Sequence, residues 1–401
     1  MSVTAPSIKQ ARSDVRPTPV AWLRANLFNS PLNSAITVAL LVVLPWLLFL
    51  LLRWVFLEAT WAPVVANLRL LMTGRYPPEY VWRVQAGVSL IYLLFGLSAG
   101  IWGGLPRAIT AGLAILGVFL ALLPFGLETR IWLVGSAALA GGGLLLGRWL
   151  GARLRWPTII GWLASPIVLL LLVRGIEGVL PVVPTGLWGG LMLTILLAVV
   201  GIVASFPLGV LLALGRRSTL PVVRWFCTIY IEVVRGVPLI SVLFMSVLML
   251  PLFLPANIRI DNLVRVLVAI TGFSAAYLAE NVRGGLQSIP KGQSEAARAL
   301  GLNIVQTTVL IVLPQALRAV IPAIVGQFIS LFKDTSLVSI VGLAELLGIA
   351  GIVINQPEWL SVAGGVEREV LLFAALLYWI FCFSLSMISR RLERQLGVGS
   401  R

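Results

Sequence analysis

Ten runs of about 17–25 mainly apolar residues follow one another along this chain, near 35–56, 86–105, 108–127, 131–147, 157–173, 187–214, 226–254, 262–281, 315–332 and 369–388. Such runs constrain the fold severely. A helix rising 1.5 Å per residue needs about 20 apolar residues to cross the hydrocarbon core, and there each backbone N–H and C=O must be bonded within its own helix. The pattern therefore predicts a multi-pass, all-α integral membrane protein of about ten spans. A soluble alternative is excluded by composition: 59% hydrophobic and 11% charged residues cannot cover a water-facing surface for 401 residues. Pro45 and Pro207 lie inside spans and should bend them.

The formal charge is +15, which in a soluble chain would point to nucleic acid. Here the basic residues lie mostly between apolar runs, so they are topology signals and contacts to lipid head groups, and no nucleic-acid partner is expected. Residues 1–34 form a polar tail holding Lys9, Arg12, Arg16 and Arg24; the apolar run after it begins near Ala35, too far in for a cleaved secretion signal. With this tail in the cytoplasm, ten spans place 19 basic residues on that side against 8 on the other. An eleventh apolar stretch, 337–353, would export the Arg-rich C-terminus if it crossed, and it is expected to lie in or against the outer face.

Several chemistries drop out. Histidine is absent, which removes the usual general base and metal ligand, so hydrolytic triads, metal sites and cofactors are not expected. Cys227 and Cys382 sit in apolar runs and read as small buried hydrophobes. The three lysines follow Ile8, Pro290 and Phe332, so no Gly-Lys-Ser/Thr phosphate loop exists and ATP, if used, is hydrolysed on another chain.

The segment Leu180-Pro-Val-Val-Pro184 breaks the helical pattern. It divides an N-terminal transmembrane extension, 35–183, from a second module, 184–390, followed by a cytoplasmic tail, 391–401. The extension has almost no ionisable residue at its span centres. In the second module the cytoplasmic stretch 288–314 reads as helix, turn, helix: Pro290 suits a helix start, Gly301 a left-handed end, and Asn303 a cap for the next helix. Ala296, Ala297, Leu300 and Ile304 should share one apolar face that seeks a partner. Glu295, with Lys291 and Arg298 nearby, is open to a solvated helix pair as well. Glu232 with Arg235 and Glu280 with Arg283 are i, i+3 pairs in or beside spans, either bracing the cytoplasmic end or forming part of a translocation core. Lys333 and Asp334 read as interfacial snorkelling at a span end ahead of substrate contact.

Glu295-Ala-Ala, then Gly301, then Ile311-Val-Leu-Pro314 resembles, with matching spacing, the EAA loop of permease subunits of ABC importers. Glu232-Val-Val-Arg-Gly-Val-Pro238 and Ala279-Glu-Asn-Val-Arg-Gly-Gly285 are similar to the polar amino-acid uptake branch, and the added N-terminal spans resemble the longer permease of general L-amino-acid systems. The resemblance covers roughly 185–390 and implies a five-span type I permease module without catalytic residues of its own. It implies that Glu295, Ala296, Ala297, Gly301, Ile311, Leu313 and Pro314 couple to cytoplasmic ABC ATPase subunits. The further partners it implies are a second permease subunit, the same or different, an external substrate-binding protein and an amino-acid substrate. The alternative is a secondary transporter driven by an ion gradient, which calls for midplane ionisable groups and paired broken helices that the spans do not clearly show.

Overall fold

The computed structural model describes residues 18–255, 257–362 and 364–397, so Lys9, Arg12, Arg16 and Arg401 lie outside the described residues. Two compact units are formed, one up to Thr60 and one from Trp61. In the first, α1 (Pro19–Asn26) and α2 (Pro31–Arg53) each begin with proline behind a hydroxyl cap, Thr18 and Ser30, and a π turn, Trp54–Glu58, extends α2. No residue of α2 is buried, and its apolar side chains point all round, as suits a helix solvated by lipid.

The second unit opens with two short helices, α3 (Ala62–Ala66) and α4 (Leu68–Thr73). There follow α5 (Val81–Trp102), α6 (Gly104–Ala121), α7 (Leu127–Leu150) and α8 (Arg155–Arg174). Glycine brings α5 and α7 into backbone contact. A Cβ on Gly96 would stand 2.2 Å from the Ala140 carbonyl oxygen, and one on Gly147 2.6 Å from that of Leu97. Close approach of this kind lets dispersion hold helices together where lipid offers no hydrophobic gain.

The later part comprises α9 (Gly190–Arg216), α10 (Pro221–Gly236), α11 (Leu239–Phe244), α12 (Leu250–Phe253) and α13 (Asn262–Ser288). Then come α14 (Lys291–Ala299), α15 (Ile304–Gln306), α16 (Leu313–Ala319), α17 (Ile321–Asp334), α18 (Leu346–Ile354), α19 (Pro357–Leu360) and α20 (Glu367–Leu396). Helices α9 and α13 pack along each other at the centre, with Leu193, Leu197, Val266 and Ile270 fully buried between them and their neighbours. No strand occurs among the described residues.

Eight stretches among the described residues are long and apolar enough to cross a membrane. One, Leu127–Arg174, has 48 residues, about 72 Å of helix and far more than a bilayer core. It breaks at Gly151, whose φ of 48° ends α7, and so makes two traverses. The expected straight span over 226–254 is instead a pair, Pro221–Gly236 and Leu239–Phe253, bent by 107°. Val237 precedes proline and is extended, and Pro238 has no N–H for the ladder, so helix cannot run through. With that pair as one traverse, ten crossings result. The stretch 337–353 divides: a 3-10 segment, Thr335–Val341, prolongs α17, and α18 has nine residues, about 13.5 Å, too few to cross.

The helix-breaking segment near 180–184 is a tied junction. Val183 and Trp188 are buried, the Val183 amide donates to the Arg174 carbonyl at 2.7 Å, and buried Arg83 donates to the Pro181 carbonyl at 2.8 Å. This junction lies inside the second compact unit, which begins at Trp61. Cys227 is buried, Cys382 half-buried, and both are free thiols.

Candidate functional site

Helix α14 ends in a doubly bonded turn: the Gly301 amide donates to the Arg298 carbonyl at 2.9 Å and the Leu302 amide to that of Ala297 at 3.2 Å. This reversal needs a left-handed residue, and Gly301 has φ +83°. Asn303 then opens α15 with a reciprocal cap, its side chain accepting from the Gln306 amide at 2.8 Å while Gln306 Oε1 accepts from the Asn303 amide at 3.0 Å. A π segment, Thr307–Val312, leads into α16. Its wider turn sits where Pro314 lacks an N–H and its ring would crowd the Leu310 carbonyl.

The turn folds the two helices against each other, which corrects the expected apolar face. Ala297 is 4% exposed and faces the π segment, while Ala296 points outward with Leu300 and Ile304, 83% and 69% exposed. Small Ala297 lies where the helices meet, so the outward surface is Ala296, Leu300, Ile304 and Val305. Glu295 is exposed and, among the described residues, takes part in no ion pair, neither with Lys291 nor with Arg298. Ile311 and Leu313 are half-buried and Pro314 is exposed. The inner side of α16 is fixed to α13: a Cβ on Gly285 would lie 2.6 Å from the Ala316 carbonyl oxygen, and Ala316 is buried with Ala213, Ile231, Ala279, Val282 and Leu286.

Directly beside that core, the four ionisable residues of the sequence reading do come together, around a fifth that it assigned to topology alone. Arg216, the last residue of α9, donates to Glu232 at 2.8 Å and to Glu280 at 3.4 Å. Glu280 also accepts from Arg283, with Nε at 2.9 Å, and lies 3.7 Å from Arg235. The expected local pair of Glu232 with Arg235 is absent, because α10 turns Glu232 toward α9 and Arg235 toward Glu280, its guanidinium 5.5 Å from the Tyr277 ring centre. Three guanidiniums and two carboxylates thus tie together α9, α10 and α13 at the end where Arg216 closes α9. Nothing in the sequence marked Arg216 out from its neighbour Arg217 except its place at the end of a span.

Lys333 and Asp334 do not end their helical stretch. The span runs on to Val341, so both stand over half-way along its 21 residues instead of at its end. Lys333 lines an open groove of about 420 Å³ with Ser336, Leu347, Leu371, Ala375 and Tyr378. Behind it lies Glu345, fully buried, accepting from Tyr378 Oη at 2.7 Å, Thr194 Oγ1 at 3.2 Å and the Gly348 amide at 2.9 Å. The Leu346 amide in turn donates to Thr194 Oγ1 at 3.1 Å. A buried carboxylate in such a site is held by hydrogen bonds from three helices' residues instead of by a cation.

The turned helix pair is thus anchored on the central helix α13 of a bundle of apolar helices long enough to cross a membrane. The family model for binding-protein-dependent transport system inner membrane components matches residues 205–398. The chain belongs to that family as a multi-pass inner-membrane permease subunit of an ABC importer, for its likeness to a named member extends over nearly its whole length. It is 39% identical over 396 residues to the inner membrane amino-acid ABC transporter permease protein YhdY of Escherichia coli K12, covering 95% of this chain and 94% of the relative. It is 38% identical over 436 residues to the glutamate/glutamine/aspartate/asparagine transport system permease protein BztC of Rhodobacter capsulatus, covering 95% and 96%. With the probable glutamine ABC transporter permease protein GlnP of Bacillus subtilis it shares 40% over 207 residues, 52% of this chain and 92% of the relative.

Proposed function

We propose that this permease forms the path for L-amino acids, and that the pair α14–α16 is the socket through which separate ATPase subunits drive it. The observation that carries the reading is the two-sided build of that pair. Its outer side offers Ala296, Leu300, Ile304 and an unpaired Glu295; its inner side meets α13 backbone to backbone at Gly285 and Ala316. A push on such a surface reaches the central span with no soft side chain between them. Gly301 sets the angle of the pair, and Ile311, Leu313 and Pro314 carry it into α16. ATP hydrolysis falls to the partner chains.

In this reading Glu232, Arg235, Glu280 and Arg283, with Arg216, brace the cytoplasmic end, since Glu280 has both oxygens engaged, Oε2 by Arg216 and Arg283 and Oε1 by Arg283. The amino acid passes instead along the groove at Lys333, where that cation and nearby polar groups supply the charges that a zwitterion needs on leaving water. That the full-length relatives are named for amino-acid transport supports the substrate class. The module 184–390 would pair with a second permease and receive substrate from an external binding protein.

Co-purification tests the socket. Detergent-extracted complex should bring down an ATPase with the intact chain, and Glu295→Ala should weaken that association while leaving the chain in the membrane. Unchanged association and uptake with both Glu295→Ala and Leu300→Ala would refute the assignment.

A further inference from the structure

Between the first span and α5, hydropathy presents a plain outer connection. The chain there is a buried wedge. Val64, Leu68 and Leu71 of α3 and α4 form one apolar cluster with Leu346, Ile349, Ala350 and Val353 of α18 and Val370, Ala374 and Leu377 of α20, and Leu71 has no exposed surface. The backbone comes equally close: a Cβ on Gly190 would stand 2.3 Å from the Leu71 carbonyl oxygen, and one on Gly74 2.4 Å from Gly189 Cα. The side-chain amides of Asn67 and Gln356 exchange hydrogen bonds at 3.1 and 3.0 Å, fastening the wedge to the residues just after α18.

Helix α18 has nine residues, too few to hold a fixed position on its own, so its neighbours decide where it stands. One side is held by Glu345 through Thr194 and Tyr378, the other by the wedge. Leu347 of α18 is in turn a wall of the groove that holds Lys333. GlnP, which aligns with 52% of this chain over 92% of its own length, is too short to carry both the permease module and the long extension.

We infer that the segment 61–76 of the extension positions α18 and so sets how tightly the outer side of the groove is closed, with Leu71 and Asn67 as positioning residues that act through α18 without touching substrate. The inference rests on the groove lying on the amino-acid path proposed above.

The test uses the full complex in proteoliposomes, with Cys227 and Cys382 replaced by alanine. In the first arm Leu347→Cys reports access of a polar thiol reagent from outside, with and without Leu71→Ala. Loosening the wedge should raise the labelling rate at position 347 roughly tenfold, the size of a typical coupling between sites. In the second arm Leu71→Ala should lower amino acid imported per ATP hydrolysed, and a short bis-thiosulfonate bridge across Asn67→Cys and Gln356→Cys should restore it, which a merely misfolded variant would not show. Labelling that ignores Leu71→Ala, or import that the bridge fails to restore, overturns the inference. The path reading is judged separately by whether added glutamate, glutamine or arginine protects the thiol at 347: labelling that responds to the wedge but to none of them removes the path and leaves the wedge's hold on α18.

Discussion

At Gly301 the requirement for glycine is conformational and not steric. Its φ is +83°, and a Cβ there would meet nothing within 4 Å. Gly301→Val should therefore cost about 1–2 kcal/mol in the turn through backbone strain alone, redirect α15 and reduce import, while Gly301→Asn, which tolerates the left-handed region, should keep most of it. Uptake rates of both variants at equal membrane abundance check this. Glu280 poses a different problem, since three guanidiniums converge on it and on Glu232. Glu280→Gln takes away the negative charge those cations share, and thermal unfolding in detergent should show a double-mutant coupling with Arg216→Gln of about 0.5–3 kcal/mol. Additive effects would mean that the 3.4 Å contact carries no energy of its own. The i, i+3 spacings made Glu280 with Arg283 legible from sequence. Glu232 with Arg216, 16 residues apart across a turn, needed the fold.

Among the elements, the α5–α7 crossing depends on glycines of two kinds that sequence alone does not separate. Gly96 faces the Ala140 backbone, whereas Gly142, on the same helix as Ala140, has open space where a Cβ would go. Gly96→Ala should overpack the crossing and destabilise it by about 1–3 kcal/mol, while Gly142→Ala should be neutral or raise stability by up to about 1 kcal/mol through its better helix propensity. Melting of the two variants in one detergent makes the comparison. The elbow between α10 and α11 was partly foreseeable, for proline and the residue before it resist helix. Its 107° bend was not, because the same Val-Pro step can kink a helix slightly or end it, and packing of α10 against α9 and α13 decides which.

For the molecule as a whole, the charge asymmetry predicts both ends in the cytoplasm. A reporter fused after Gly397 should be silent on the outside and one inserted near Pro357 active there; the reverse result would require α18 to cross. The split at Thr60 predicts that an unrelated single-span anchor can replace residues 1–60 without loss of assembly, whereas extending the replacement through Tyr76 should destabilise α18 and lower membrane abundance. Apolar run length was enough to determine an all-α membrane protein of about ten spans, because lipid imposes one dominant rule on every backbone group. The turn of the coupling pair was equally local: glycine and asparagine set it within a few residues. Tertiary structure alone decided that Ala297 turns inward, that Lys333 lines a groove, that buried Glu345 is held by Thr194 and Tyr378, and that 61–76 is a wedge. Each of these depends on which distant surfaces meet, and in a chain apolar on nearly every face, hydropathy cannot distinguish a side chain facing lipid from one facing protein.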